Sequence, residues 1–117
     1  MLEIFKKQKY IYTEYDEIHI QRLNEENIPY EIKEEISQDL DRIEKGEVFR
    51  IIADAGGHAI GQVRIERATA QSTVANVGGL YVSAPFRAFG VSAKLIESAV
   101  ETASKNEIET LEIEVMK

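Results

Sequence analysis

A chain of 117 residues carrying 21 Asp+Glu against 14 Lys+Arg, a net charge of -7, has room for one domain with a single core and not for two. The absence of cysteine excludes thiol catalysis, disulfide frameworks and Cys-based zinc sites, and fits a reducing compartment, for which the cytoplasm is expected. No apolar run approaches the ~18 residues of a membrane span, the N-terminus lacks the apolar core of a signal peptide, and the acidic balance opposes binding to phosphate backbones, so neither membrane nor nucleic acid is an expected partner.

Residues 1–16 are expected as an N-terminal arm or extra strand, with the aromatic, β-favouring run Tyr10-Ile11-Tyr12-Thr13-Glu14-Tyr15 in it, and residues 17–117 as the domain proper. In Glu17 to Leu23, Ile18 and Ile20 alternate with His19 and Gln21, the period of a half-buried strand. A helix follows: Pro29 suits a first turn, and Ile32, Ile36, Leu40 and Ile43 recur along one stripe until Gly46 closes it as a left-handed cap. Val48–Ala53 and Ala59–Ile65 predict two strands joined in a hairpin by Asp54-Ala55-Gly56-Gly57-His58, and Gly61 inside the second suggests a bulge or a close backbone approach. Val74 to Val82 predicts another strand, broken in its middle by Gly78-Gly79 and ended before Pro85.

The last helix is expected from about Gly90 to Lys105, burying Val91, Leu95, Ile96, Ala99, Val100 and Ala103, with a Glu101–Lys105 pair on its wet side. Asn106 is its expected left-handed cap, and Leu111 to Val115 alternates as a final strand. The order predicts an α+β (α/β-like) domain with a mixed, mostly antiparallel sheet flanked by helices.

Charge is unevenly placed along this order. From Arg67 to Ile96 there is no Asp or Glu, while Arg67, Arg87 and Lys94 make the window positive. Either something negative binds there, or a small-residue strand and helix have no room for charges. Within the window, Leu80-Tyr81-Val82-Ser83-Ala84-Pro85-Phe86-Arg87-Ala88-Phe89-Gly90-Val91-Ser92-Ala93 reads as strand, tight turn and helix N-terminus. Free N–H groups converge at such a terminus, and small side chains at Ala88, Gly90, Ser92 and Ala93 would let a diphosphate approach them, with Arg87 adding a charge. An ordinary strand–helix connection with a solvated Arg87 is the alternative.

This segment resembles the acetyl-CoA signature of the GCN5-related N-acetyltransferases (the GNAT family): an aliphatic-x-Val strand end, a Pro-containing turn, then Arg/Gln-x-x-Gly-x-Gly/Ala opening a long helix. Leu80-Tyr81-Val82, Pro85 and Arg87 to Val91 match it, and Ser92 replaces the final Gly or Ala. Ala59-Ile60-Gly61-Gln62-Val63 is similar to the family's third strand. The resemblance implies an acyl-CoA N-acyltransferase-like fold and an acetyl-CoA-dependent transfer of an acetyl group to an amine. By the same resemblance, Leu80, Tyr81 and Val82 would meet the pantetheine arm. Arg87, Ala88, Phe89, Gly90, Val91, Ser92 and Ala93 would hold the pyrophosphate, and Gly78-Gly79 would supply the bulge at which the family splays this strand from the next.

In the family a further helix and two strands follow the strand at Leu111–Val115, and that region usually supplies a tyrosine general acid. The chain stops at Lys117, so no acid can be assigned. Either a C-terminally truncated fold belongs to a longer acetyltransferase, or a second copy completes it as a homodimer or larger assembly through the exposed final strand. A non-catalytic CoA-binding or self-associating module is the alternative function. The expected acceptor is a small-molecule or peptide amine, favoured by the negative charge outside the cradle.

Other constellations carry less. Gly56 to Val63 has phosphate-loop glycine spacing but Gln62 and Val63 where Lys and Ser/Thr are required. His19 and His58 stand far apart without a ligand pattern, so no metal is expected. Glu66, Glu112 and Glu114 are open as general bases, beside a water chain, and alternation does not decide among them.

Overall fold

The computed structural model describes residues 17–23, 28 and 32–113. The expected arm at 1–16, Pro29, Glu114 and Val115 lie outside the described residues. The strands are β1 (Ile18–Arg22), β2 (Val48–Ala55), β3 (His58–Glu66), β4 (Val74–Val82) and β5 (Thr110–Ile113), and the helices are α1 (Lys33–Ser37), α2 (Leu40–Glu44) and α3 (Val91–Lys105). A 3-10 turn, Ala84–Phe89, joins β4 to α3. The strands form one five-stranded sheet in sequence order, antiparallel from β1 to β4, with β5 added in parallel to β4. This is the mixed, mostly antiparallel sheet that the sequence predicts.

Alternation along β2 and β3 divides the core between the two faces. On one face Phe49, Ile51, Ala53, Val63 and Ile65 pack with Val77 and Val82 of β4 beneath Val91, Leu95, Ala99 and Ala103 of α3. On the other, Ile52 meets Leu23, Ile32 and Ile36, with Leu40 and Ile43 alongside. Both faces of β2 are therefore covered, which is why Val48–Ala53 reads as a nearly unbroken apolar run. The β2–β3 hairpin closes on Gly56 and Gly57, both at positive φ, as a two-residue turn requires.

Three expectations need correction. The single helix of the stripe Ile32–Ile43 is two five-residue helices broken at Gln38-Asp39. Asp39 falls three residues after Ile36 on the buried side and turns its carboxylate onto sheet arginines instead of capping its own helix. Asn106 has φ -115, and the left-handed residue is Glu107 at φ 60, because the Asn106 amide nitrogen Nδ2 donates to the Thr102 carbonyl and the αL turn falls one residue later. Val100 is 55% exposed, not buried, and Ile96 is half-buried. Gly46 is left-handed as expected, at φ 79, and Glu101 pairs with Lys105 at 3.2 Å.

Candidate functional site

Gly61 brings the site's three elements together. A Cβ built on it would stand 3.1 Å from the Tyr81 carbonyl oxygen, 3.2 Å from Leu95 Cδ1 and 3.4 Å from Val91 Cγ1. The end of β4 and the first turn of α3 thus close on β3 at a distance only glycine leaves room for. The register between β3 and β4 slips here: Arg64 faces Gly78 and Gln62 faces Tyr81, so Gly79 and Leu80 both stand opposite Val63. That is a β-bulge, with Gly79 at φ 64. Gly78-Gly79 is therefore the break expected within the strand.

On its other side β4 carries β5. β5 pairs with Val74 to Val77 and its last described pair is Val77–Ile113, whereas β4 runs on to Val82. Among the described residues nothing pairs with the outer edge of β4 beyond Val77. Leu80 is 44% and Tyr81 53% exposed, while the Val82 side chain is buried in the α3-side core. Beside this edge a groove of about 500 Å³ is lined by Leu80, Ser92, Ala93, Ile96, Glu97 and Val100.

The turn into α3 is anchored at both ends. Phe86 is 2% exposed and its N–H donates to the Ser83 carbonyl at 2.9 Å. Arg87 Nε donates to the Val82 carbonyl at 3.0 Å. Gly90 then takes the left-handed conformation, φ 71 and ψ 19, as the N-cap of α3, with no side-chain cap hydrogen bond. The helix accordingly starts at Val91 rather than at Gly90. The amides of Val91, Ser92 and Ala93 open it and have no acceptor within the helix, and Ser92 and Ala93 are exposed on the groove. Ala88, Phe89 and Gly90 are exposed as well, and a Cβ on Gly90 would meet nothing within 4 Å.

The three cations of the acid-free window do not converge. Arg67 is 6% exposed and distant from this end of β4; it donates to the carbonyls of Gly46, Ser72 and Asn106 at 2.8, 3.1 and 3.0 Å and stacks 5.4 Å above the Phe49 ring. Arg87 and Lys94 remain near the start of α3. Arg67 is a fastener between three loops, not part of a cradle.

Sequence reasoning missed the ionic network on the opposite face. Arg50 and Arg64 are cross-strand partners, an unfavourable placement of like charges unless an acid bridges them. Asp39 does so, accepting from Arg64 Nε and Arg50 Nε at 2.8 Å each and from Arg64 Nη2 at 3.0 Å. The bond with Arg64, opposed by burial and aided by Arg50, holds the Asp39 carboxyl at about 2. Glu66, which accepts from Arg42 and Arg64, is held below the usual carboxylate range chiefly by Arg42. The paired arginines at opposed strand positions were the signal available. His19 lies 3.8 Å from the Glu17 carboxylate, and among the described residues no group of His, Asp and Glu could hold a metal. Nor is any described helix long and apolar enough to cross a membrane.

A five-stranded mixed sheet with a glycine bulge in β4 and a long helix opening just past the end of that strand defines an acyl-CoA N-acyltransferase-like fold. The family model described as Acetyltransferase (GNAT) family matches residues 9–117, and the chain belongs to that family. No curated protein matches the sequence. Among solved structures, an acetyltransferase from Trypanosoma brucei is 11% identical with a TM-score of 0.68, over 86% of this chain and 84% of that one. A transcriptional regulator from Bacillus halodurans is 15% identical with a TM-score of 0.66, over 86% and 83%. The aminoglycoside N-acetyltransferase AAC(6')-Iy, in complex with CoA, is 16% identical with a TM-score of 0.67, over 84% and 79%.

Proposed function

We propose that the groove beside β4 binds acetyl-CoA and that the chain transfers its acetyl group to an amine. The observation that carries this reading is the groove at the start of α3, where the exposed Leu80 of β4 meets Ser92, Ala93 and Ile96. The amides of Val91, Ser92 and Ala93, with Arg87 and Lys94 nearby, suit a diphosphate, since the helix dipole adds about half a positive charge there. The main chain of Leu80 and Tyr81 suits the pantetheine amides, as an added strand would. The Val82 carbonyl already accepts from Arg87 and contributes less. Coenzyme supplies the activated acyl group; the chain's own residues position it and polarise the carbonyl through main-chain N–H groups near the bulge.

Membership of the GNAT family and the CoA complex of a structural neighbour support CoA as the ligand. The net charge of -7 favours a basic acceptor, and a cysteine-free chain suits the cytoplasm. Residues 17–117 are the expected binding unit.

The test is a calorimetric titration with CoA of the wild type and of Ala93→Glu. A carboxylate at the third position of α3 favours the helix dipole, so the fold is retained, while a diphosphate is repelled. Binding that weakens at least tenfold in the variant supports the reading; equal affinity in both proteins overturns it.

A self-associating module is the second reading. β5 is an edge of the described sheet, Ile113 is 58% and Val100 55% exposed, and a second groove of about 810 Å³ runs between α3 and β5 past Val100, Ala103, Ile108 and Leu111. A homodimer through this edge predicts a sedimentation coefficient that rises with protein concentration, and a monomer at high micromolar concentration would remove it.

A further inference from the structure

The end of β4 and the start of α3 are each seated in the core through Val82 and Val91, but the connection between them is held by little. Of residues 83–90 only Phe86 is buried. The 3-10 turn Ala84–Phe89 runs into Gly90, which is left-handed and gives α3 no side-chain cap. A helix start without a capping side chain keeps its amides in one direction only if the segment before it is held.

The Arg87 side chain supplies that hold. The Ser83 N–H points to β3, where it donates to the Ile60 carbonyl at 2.7 Å. The Val82 carbonyl belongs to the same planar peptide and so points the other way, where β3 offers it no donor. Arg87 Nε, five residues further on, donates to it at 3.0 Å. Among the described residues this is the only hydrogen bond of the Arg87 side chain, and no carboxylate pairs with it. The bond straps the exposed turn to the strand that it leaves, at the point where the chain bends from Leu80 on one wall of the groove to Ser92 and Ala93 on the other.

Resting on the acetyl-CoA reading above, we infer that Arg87 is a positioning residue for the coenzyme, acting through the Val82 carbonyl to hold the turn and the α3 amides in register with the end of β4, and not through its charge. A ligand that meets both β4 and α3 must match the spacing between them, so a slack turn costs affinity even where every group that touches the ligand is intact. Donor and charge are chemically separable at this position. Glutamine carries an amide nitrogen at the same place along the side chain as arginine carries Nε, without the charge. Methionine has a similar reach with neither donor nor charge.

The experiment is calorimetric titration with CoA of wild type, Arg87→Gln and Arg87→Met, beside urea unfolding of all three. Arg87→Gln is expected to stay within about threefold of wild type and Arg87→Met to bind about tenfold more weakly, the worth of one hydrogen bond from a charged donor. The urea midpoints of the two variants are expected to coincide, since residue 87 is exposed. Equal affinity in the two variants, whether both fall or neither does, overturns the inference. So does a midpoint of Arg87→Met that falls below that of Arg87→Gln in step with its affinity, because the bond would then serve the fold and not the site. Wild-type protein that binds CoA while the variants fail to separate leaves the coenzyme reading standing; wild-type protein that binds no CoA removes both.

Discussion

Replacing Asp39 with asparagine keeps the side chain's shape and removes the one charge that separates Arg50 from Arg64. Asp39 and Arg50 side chains are 11% and 10% exposed, so solvent screens little of the loss. Holding the carboxyl at about 2 instead of the ordinary 3.8 corresponds to a contribution on the order of 2 kcal/mol at neutral pH. Because the folded carboxyl titrates below the unfolded one, that contribution is complete above about pH 5 and disappears as the pH falls through about 2; about half remains at pH 3. Urea unfolding of wild type and Asp39→Asn at pH 7 and pH 3 reads it directly. The variant is expected to lose about 2 kcal/mol at pH 7 and about half of that at pH 3. A loss below about 0.5 kcal/mol at pH 7, or one that does not shrink at pH 3, would refute the account of Asp39 as the bridge between the arginines.

Gly61→Val drives a branched side chain into the Tyr81 carbonyl, Leu95 and Val91, and is expected to cost about 1–3 kcal/mol in urea unfolding while weakening CoA binding, because β4 and α3 must move apart. Arg67→Lys leaves one ammonium where a guanidinium reaches three carbonyls across three loops; a loss of about 2–4 kcal/mol is expected, and thermal unfolding checks it. Gly79→Val forces a β-branched residue to φ 64 and should destabilise by about 1–2 kcal/mol, whereas Gly57→Asn in the hairpin, with open space around the glycine, should cost under about 1 kcal/mol.

What the sequence shows well is local. Alternation in β2 and β3, the glycine pair of the hairpin and the bulge at Gly78-Gly79 each follow from residues adjacent in the chain. The GNAT signature likewise places the turn and α3 correctly, because strand end, proline and glycine are contiguous. Features decided by partners distant in sequence were not legible. The stripe Ile32–Ile43 has a helical period throughout, and only the arginines of two later strands explain why the chain breaks at Asp39. Val100 falls on the stripe of Ile96 and Ala103, yet α3 packs chiefly through Leu95 and Ala99, and the Ile96–Val100 flank lines the grooves beside Leu80 and Leu111. Arg67 reads as one of the three cations of the acid-free window until the three loops that it joins are seen together.

The arrangement of the sheet has a consequence for how the molecule is made. β2, β3 and β4 each pair with the strand synthesised just before, and the β2–β3 and β3–β4 connections are short, so the ribosome can release this part of the chain into successive hairpins. β5 can dock only after α3 has crossed over, which makes it the last strand of the described sheet to be assembled. Pulse-labelled hydrogen exchange during refolding should find β2 and β3 protected while Thr110–Ile113 still exchanges, and simultaneous protection would contradict that sequence of events.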